Sequence, residues 1–265
     1  MCSCYHACVT AAAHGKFITF EGLDGCGKST QLEKLAAYLR GRKLDVLSTR
    51  EPGGTPLGDR IRAILLDSHT ASLDAHAELA LMFASRAQHV HQVILPAIHA
   101  GKILLCDRFT DSSEAYQGGG RELGSEPILA LHRVLCAGLQ PDLTILLDSG
   151  VAASVARARR RNLAESREKA SAQTAREKAV HEKAAHGKTP HGKAGAREQD
   201  RVHDENRFER ENQAFFERVH RAFHEIARRE PQRVIVIDSR RSIEVVHGDI
   251  VKAVEKGLGL SAKKS

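Results

Sequence analysis

Gly22-Leu23-Asp24-Gly25-Cys26-Gly27-Lys28-Ser29 has the spacing GxxxxGK[ST] and stands between an apolar run, residues 17–20, and a stretch of helix formers beginning at Lys28. That context gives the pattern a mechanism. Glycines let backbone N–H groups curl around phosphate oxygens, and the N-terminus of the following helix adds partial positive charge. Lys28 is expected to neutralise the outer phosphates of a nucleoside triphosphate, Ser29 to hold Mg2+, and Thr30 to complete the cradle. The bland alternative is a glycine turn before a capped helix.

Such a loop says only that a nucleotide binds, so a GTPase, a repair ATPase or a transporter subunit stays open. Two further polar segments narrow the choice. Arg50-Glu51-Pro52-Gly53-Gly54-Thr55 follows a second apolar run, and the segment from Asp107 to Gly118 follows a third. If the runs are neighbouring strands, both segments reach the edge where the phosphate loop lies, the place for a second substrate.

Five runs favour strands, at residues 17–20, 46–48, 103–106, 143–147 and 234–237. Between them, 28–40, 56–66, 74–100, 127–136, 151–161, 206–229 and 243–258 have helical spacing or good helix formers. Near-continuous apolar strands alternating with helices imply an α/β fold with a parallel sheet covered on both faces. Ligands then gather at the carboxyl ends of the strands.

Residues 162–202 break the pattern, since apart from alanine the only aliphatic residues there are Leu163, Val180 and Val202. The stretch repeats REKA at Arg167 and Arg176, HEKA at His181, and HGK at His186 and His191. It reads as a solvated low-complexity insertion. From Arg157 to Arg201, thirteen Lys or Arg face six acidic residues, a surplus equal to the net charge of +7. The basic balance therefore belongs to one segment, and a nucleic-acid partner is not the expectation, although a nucleic-acid-binding ATPase is the alternative from another class.

No run approaches the roughly 18 apolar residues of a spanning helix, so no membrane partner is expected. Residues 1–15 read as an N-terminal extension and 16–260 as one catalytic domain, with cytoplasmic residence by default. Cys26, Cys106 and Cys136 sit in apolar or glycine-rich contexts suited to reduced thiols, whereas Cys2, Cys4 and Cys8 lack a second half-site for a metal.

FEGLDGCGKSTQ, REPGGT, LMFASRAQH and DRFTDSSEAYQG occur in that order. In them the chain resembles thymidylate kinases, of the bacterial type with lid arginines. DRF with the downstream AYQ is the most specific element. The resemblance implies a P-loop NTPase-type three-layer fold, transfer of the γ-phosphoryl group of ATP to dTMP with Mg2+, and a homodimer. The kinase of another nucleoside monophosphate is the nearest alternative.

Residue by residue, the resemblance puts Arg108 on the dTMP phosphate, Phe83 on the thymine face and Arg86 on a thymine carbonyl. Asp24 would accept from the 3′-hydroxyl and Tyr116 would crowd the 2′ position. Ser112, Ser113, Gln117 and Arg50 would line the acceptor pocket, and Asp107 would stand near the metal. Arg241 would edge the adenine pocket. Physical chemistry leaves alternatives. Phe83 shares a helix with Leu79, Val90 and Ile94 and fits a core position; Tyr116 could pack on a neighbouring helix, Asp107 could cap one, and Arg241 could be surface.

In this family a catalytic arginine comes from the phosphate loop or from the lid. The slot after Asp24 is Gly25, so the expectation falls on a lid at 151–210, on Arg161 supported by Arg157 and Arg159. Arg207, in Asn206-Arg207-Phe208-Glu209, resembles the closing lid motif. The insertion and the Val151-Ala152 that replace the usual Pro-Glu depart from the pattern.

Overall fold

The computed structural model describes residues 15–67, 73–164 and 211–259, together with 167, 171, 207 and 208. The expected extension before residue 15 and most of the insertion lie outside the described residues. Five strands, β1 (Lys16–Glu21), β2 (Val46–Arg50), β3 (Ile103–Asp107), β4 (Leu143–Asp148) and β5 (Val234–Asp238), form one parallel sheet in the order β2-β3-β1-β4-β5. Each lies where its apolar run predicts it.

Alternation along the strands feeds two layers. Ile18, Phe20 and Leu105 join one core with Leu32, Leu35 and Leu39 of α1 (Lys28–Gly41) and Val246, Ile250 and Val254 of α8 (Ile243–Gly257). Phe17, Leu104 and Cys106 face the other layer, with Leu79, Phe83, Val90 and Ile94. Here α2 (Pro56–Leu66) packs on α3 (Ala75–His89). The expected long helix is continuous, but it passes through a π-helical turn (Val90–Ile94) before its last α-turn (Leu95–His99). Pro96 supplies the cause: it has no N–H to give and its ring crowds the carbonyl four residues back.

The helix over 110–120 is not among those the sequence pattern predicts. It begins as α4 (Thr110–Ser113), widens into a π-turn (Glu114–Gly120), and is followed by α5 (Ser125–Leu135). Long-range ion pairs hold it. Asp111 takes both arms of Arg233 at 2.7 and 2.8 Å, and Glu114 takes both arms of Arg229 at 2.7 and 2.8 Å. Its glycines admit α7 (Gln213–Arg229): a Cβ on Gly119 would lie 2.7 Å from that of Ala222, and one on Gly120 would lie 2.6 Å from the Phe215 ring. The α7 helix starts at 213 rather than 206, where Asn212 caps it by accepting from the Phe215 N–H. Finally, α6 covers 151–164. None of the helices among the described residues is long and apolar enough to cross a membrane.

Candidate active site

The phosphate loop leaves β1 and enters α1 through Gly27, whose φ of 101° favours glycine. No side chain caps this helix start and no acidic residue stands in its first turn. Its first-turn N–H groups are therefore left uncapped at the cleft, as an anion site requires. Lys28 is folded back over the loop, donating to the Gly22 and Leu23 carbonyls at 3.1 and 3.0 Å. Leu23 and Cys26 are buried beneath the loop, and burial pushes the Cys26 thiol up. Ser29 donates to Asp107 Oδ2 at 3.0 Å, while Asp107 Oδ1 is buried with no partner. This pair could hold a divalent cation.

Arg108 is the first residue past β3, and its φ of 72° is one that side chains rarely adopt. The turn swings its guanidinium onto the phosphate loop. One arm donates to the Gly22 carbonyl at 3.1 Å and to Ser112 Oγ at 2.8 Å; the other meets Asp24 at 2.7 Å and the Tyr116 hydroxyl at 3.3 Å. Lys28 and Arg108 thus share one carbonyl oxygen, from loops that follow adjacent strands. Tyr116 lies under the guanidinium, 5.0 Å from ring centroid to carbon, and packs on Phe208, Phe215 and Phe223. Burial alone would raise the Asp24 carboxyl, but Arg108 and Lys28 hold it below the ordinary range.

Behind this lies Arg86, fully enclosed. It donates to Glu51 at 2.7 Å, to the Phe109 carbonyl at 3.1 Å and to Ser113 at 3.0 Å, leaving Nη1 without a partner. Glu51 also bonds His89 at 2.8 Å. An unspent guanidinium donor held this rigidly suits a planar carbonyl ligand. Arg50 is exposed at the end of β2, in register with Asp107.

Three expectations need correction. Phe83 has no exposed surface; it sits in the core with Phe17 and Phe109, with the Arg86 guanidinium 4.7 Å from its ring centroid, so it offers no face to a base. The residue before it, half-buried Met82, packs instead on the cluster containing Tyr116, Leu23 and Phe208. Gln117 is buried and gives its amide to Glu78 at 2.8 Å rather than to an open wall. Arg159 is exposed and is not on the cleft, because it lies half a helical circuit from Arg157.

Arg157 and Arg161, one turn apart, do line a cleft of about 520 Å³ with Asp24 to Gln31, Ser239, Arg241, Ser242, Ile243 and Val246. Gly25 makes this possible. A Cβ there would lie 2.2 Å from the Ser154 carbonyl oxygen and 2.8 Å from the Ala158 nitrogen, so the bare backbone seats α6. Arg207 is held elsewhere, on the Leu65 carbonyl at 2.6 Å and on Glu78 at 2.7 Å.

Nothing in the sequence marks Glu21, whose partners are set by the fold. It is fully buried and accepts from the Phe109 N–H at 2.7 Å and from Ser112 Oγ. Burial, with Asp111 adding to it, pushes its carboxyl from 4.5 up to about 8. The folded chain therefore keeps a proton that the unfolded chain releases, and stability should decline as pH climbs from about 4.5 towards 8. Glu21→Gln, which cannot ionise, should flatten that decline. Urea midpoints at about pH 5 and about pH 8 measure it, and an unchanged pH slope in the variant would refute the assignment.

Known proteins resemble this chain along most of its length. The family model described as Thymidylate kinase matches residues 20–189. Thymidylate kinase of Pseudomonas putida is 44% identical over 89% of this chain and 93% of its own length. That of Desulfovibrio desulfuricans is 41% identical over 90% of this chain and 94% of its own. Among solved structures, thymidylate kinase from Ehrlichia chaffeensis superimposes with a TM-score of 0.63 at 28% identity, covering 91% of this chain and 98% of that one. With a family match across more than half its length and relatives of this similarity, the chain belongs to the thymidylate kinase family.

Proposed function

We propose that this chain phosphorylates dTMP to dTDP with ATP and Mg2+. The observation that carries the reading is the meeting of Lys28 and Arg108 on Gly22 O and Asp24, which lets a triphosphate and a monophosphate approach end to end. ATP would lie along the loop from Gly22 to Thr30, its base towards Arg241 and Ile243 in the cleft. Its phosphates would take over the loop's N–H groups and Lys28. On the acceptor side, Arg108 would exchange its contacts with Ser112 and Asp24 for phosphate oxygens, which suit its two arms. Asp24, so released, becomes an acceptor for a sugar hydroxyl, with Tyr116 closing the space beside it. Arg86 Nη1 would meet a base carbonyl.

Ser29 and Asp107 fit Mg2+, which when bound would neutralise charge on the triphosphate. The chain's own residues do the rest by positioning and charge. No strong general base is needed, because an acceptor phosphate is already an oxyanion. Arg157 and Arg161 would stabilise charge on the migrating group from the α6 side. A homodimer and a cytoplasmic setting belong to the same proposal and rest on the family. Offering the chain ATP, Mg2+ and a panel of monophosphates should release ADP fastest with dTMP. Equal rates with CMP or AMP would overturn the substrate, and ATP hydrolysis indifferent to any monophosphate would overturn the reaction.

A further inference from the structure

Asp148 ends β4, and His220 and His224 stand four residues apart on one face of α7, a spacing that lets two imidazoles share a ligand. His220 Nε2 is 3.1 Å from Asp148 Oδ1, His224 Nε2 is 3.0 Å from Oδ2, and the two Nε2 atoms are 3.2 Å apart. Ligand atoms bound at about 2.0–2.1 Å in a tetrahedron lie about 3.3 Å from one another. The two imidazole nitrogens already have that spacing, each meets one oxygen of the same carboxylate, and one ligand atom from each of the three residues lies within 4.8 Å of the others; no other such group of His, Cys, Asp or Glu occurs among the described residues.

We infer that Asp148, His220 and His224 form a binding site for one late first-row divalent metal ion of the zinc class, separate from the nucleotide cleft. None of the three lines that cleft. Without a metal, both imidazoles must point Nε2–H at one carboxylate, leaving two like dipoles side by side; a shared cation replaces that contact with three attractive bonds. The carboxylate is already ordered, since Asp148 Oδ1 accepts the Gly150 N–H at 2.8 Å. Arg240, whose charge reaches Asp148, is itself forked to Asp238 at 2.8 Å on both oxygens. The three side chains are about one-quarter to one-third exposed, so an ion can enter and keep water in its remaining position. The donor set of two imidazoles and one carboxylate favours zinc, cobalt or nickel over magnesium or calcium.

The test is titration of the purified full chain, free of nucleotide, with Co2+ and then Zn2+. About one equivalent of Co2+ should produce the visible absorption of a four- or five-coordinate ion, and Zn2+ should displace it. His220→Gln with His224→Gln should weaken that binding by at least about 100-fold. His224→Cys should keep it and add a sulfur-to-cobalt charge-transfer band, a signature that a merely structural role for His224 would not produce. Replacing His181, His186 and His191 by Gln should leave the band intact. Only the spectrum of hydrated cobalt, or a band that survives the His220/His224 double variant, would overturn the site.

Discussion

Arg108→Ala should lower kcat/KM for dTMP by about 10²- to 10³-fold while ATP affinity stays within about threefold. The split follows from what Arg108 touches. Its arms reach Ser112, Asp24 and Tyr116 and share the Gly22 carbonyl with Lys28, while on the proposed reading Lys28 and the first turn of α1 would hold the other ligand without it. Removing the guanidinium also takes the largest favourable charge from Asp24, which keeps Lys28 at 3.8 Å and the weaker influence of Arg161. A less negative acceptor site would be restored by nothing else in the loop. Arg108→Lys should recover only part of the loss, because an ammonium lacks the two-armed fork. Steady-state kinetics with each substrate varied, beside a nucleotide-binding titration, measure the split. Wild-type kinetics for dTMP in Arg108→Ala would remove the acceptor assignment.

The second large effect belongs to α6. Arg161→Ala should reduce kcat at saturating substrates by about 10³-fold or more, the scale of an arginine beside a migrating phosphoryl group. Arg159→Ala, on the far side of the same helix, should stay within about twofold. Both arginines sit within one turn, so net charge and helix propensity change equally; only the face differs. Arg161 lines the cleft and its charge reaches Asp24, whereas Arg159 is outside it. Equal losses in the two variants would mean that the basic surface of α6, not a placed charge, drives the rate.

Local signals made the sheet and the phosphate loop legible. Each strand is a short run of apolar residues, and the glycine-lysine pattern needs nothing beyond its own neighbours to act. The helix over 110–120 is different. Three consecutive glycines and few apolar residues argue against it locally, and the Arg229 and Arg233 that pin it lie more than a hundred residues away in the chain. Glu21, Glu51 and Glu78 were unreadable for the same reason, since each is buried among partners from other elements.

Helical phase explains where Phe83 and Arg159 depart from expectation. Leu79, Val90 and Ile94 share a face with Phe83, and that periodicity, the physical alternative to the family role, is what the fold obeys. One position earlier the helix turns by about 100°, and Met82 looks towards Tyr116 instead. Arg157, Arg159 and Arg161 could have been sorted the same way, the first and last being one turn apart.

Gly25 leaves a last consequence. Because the missing Cβ is where α6 rests its backbone, an arginine on the loop and an arginine delivered by the helix exclude each other sterically. On the proposed reading, a single hydrogen in place of a side chain would decide which of two polypeptide segments supplies the charge, and relocating that charge would demand a change in both at once.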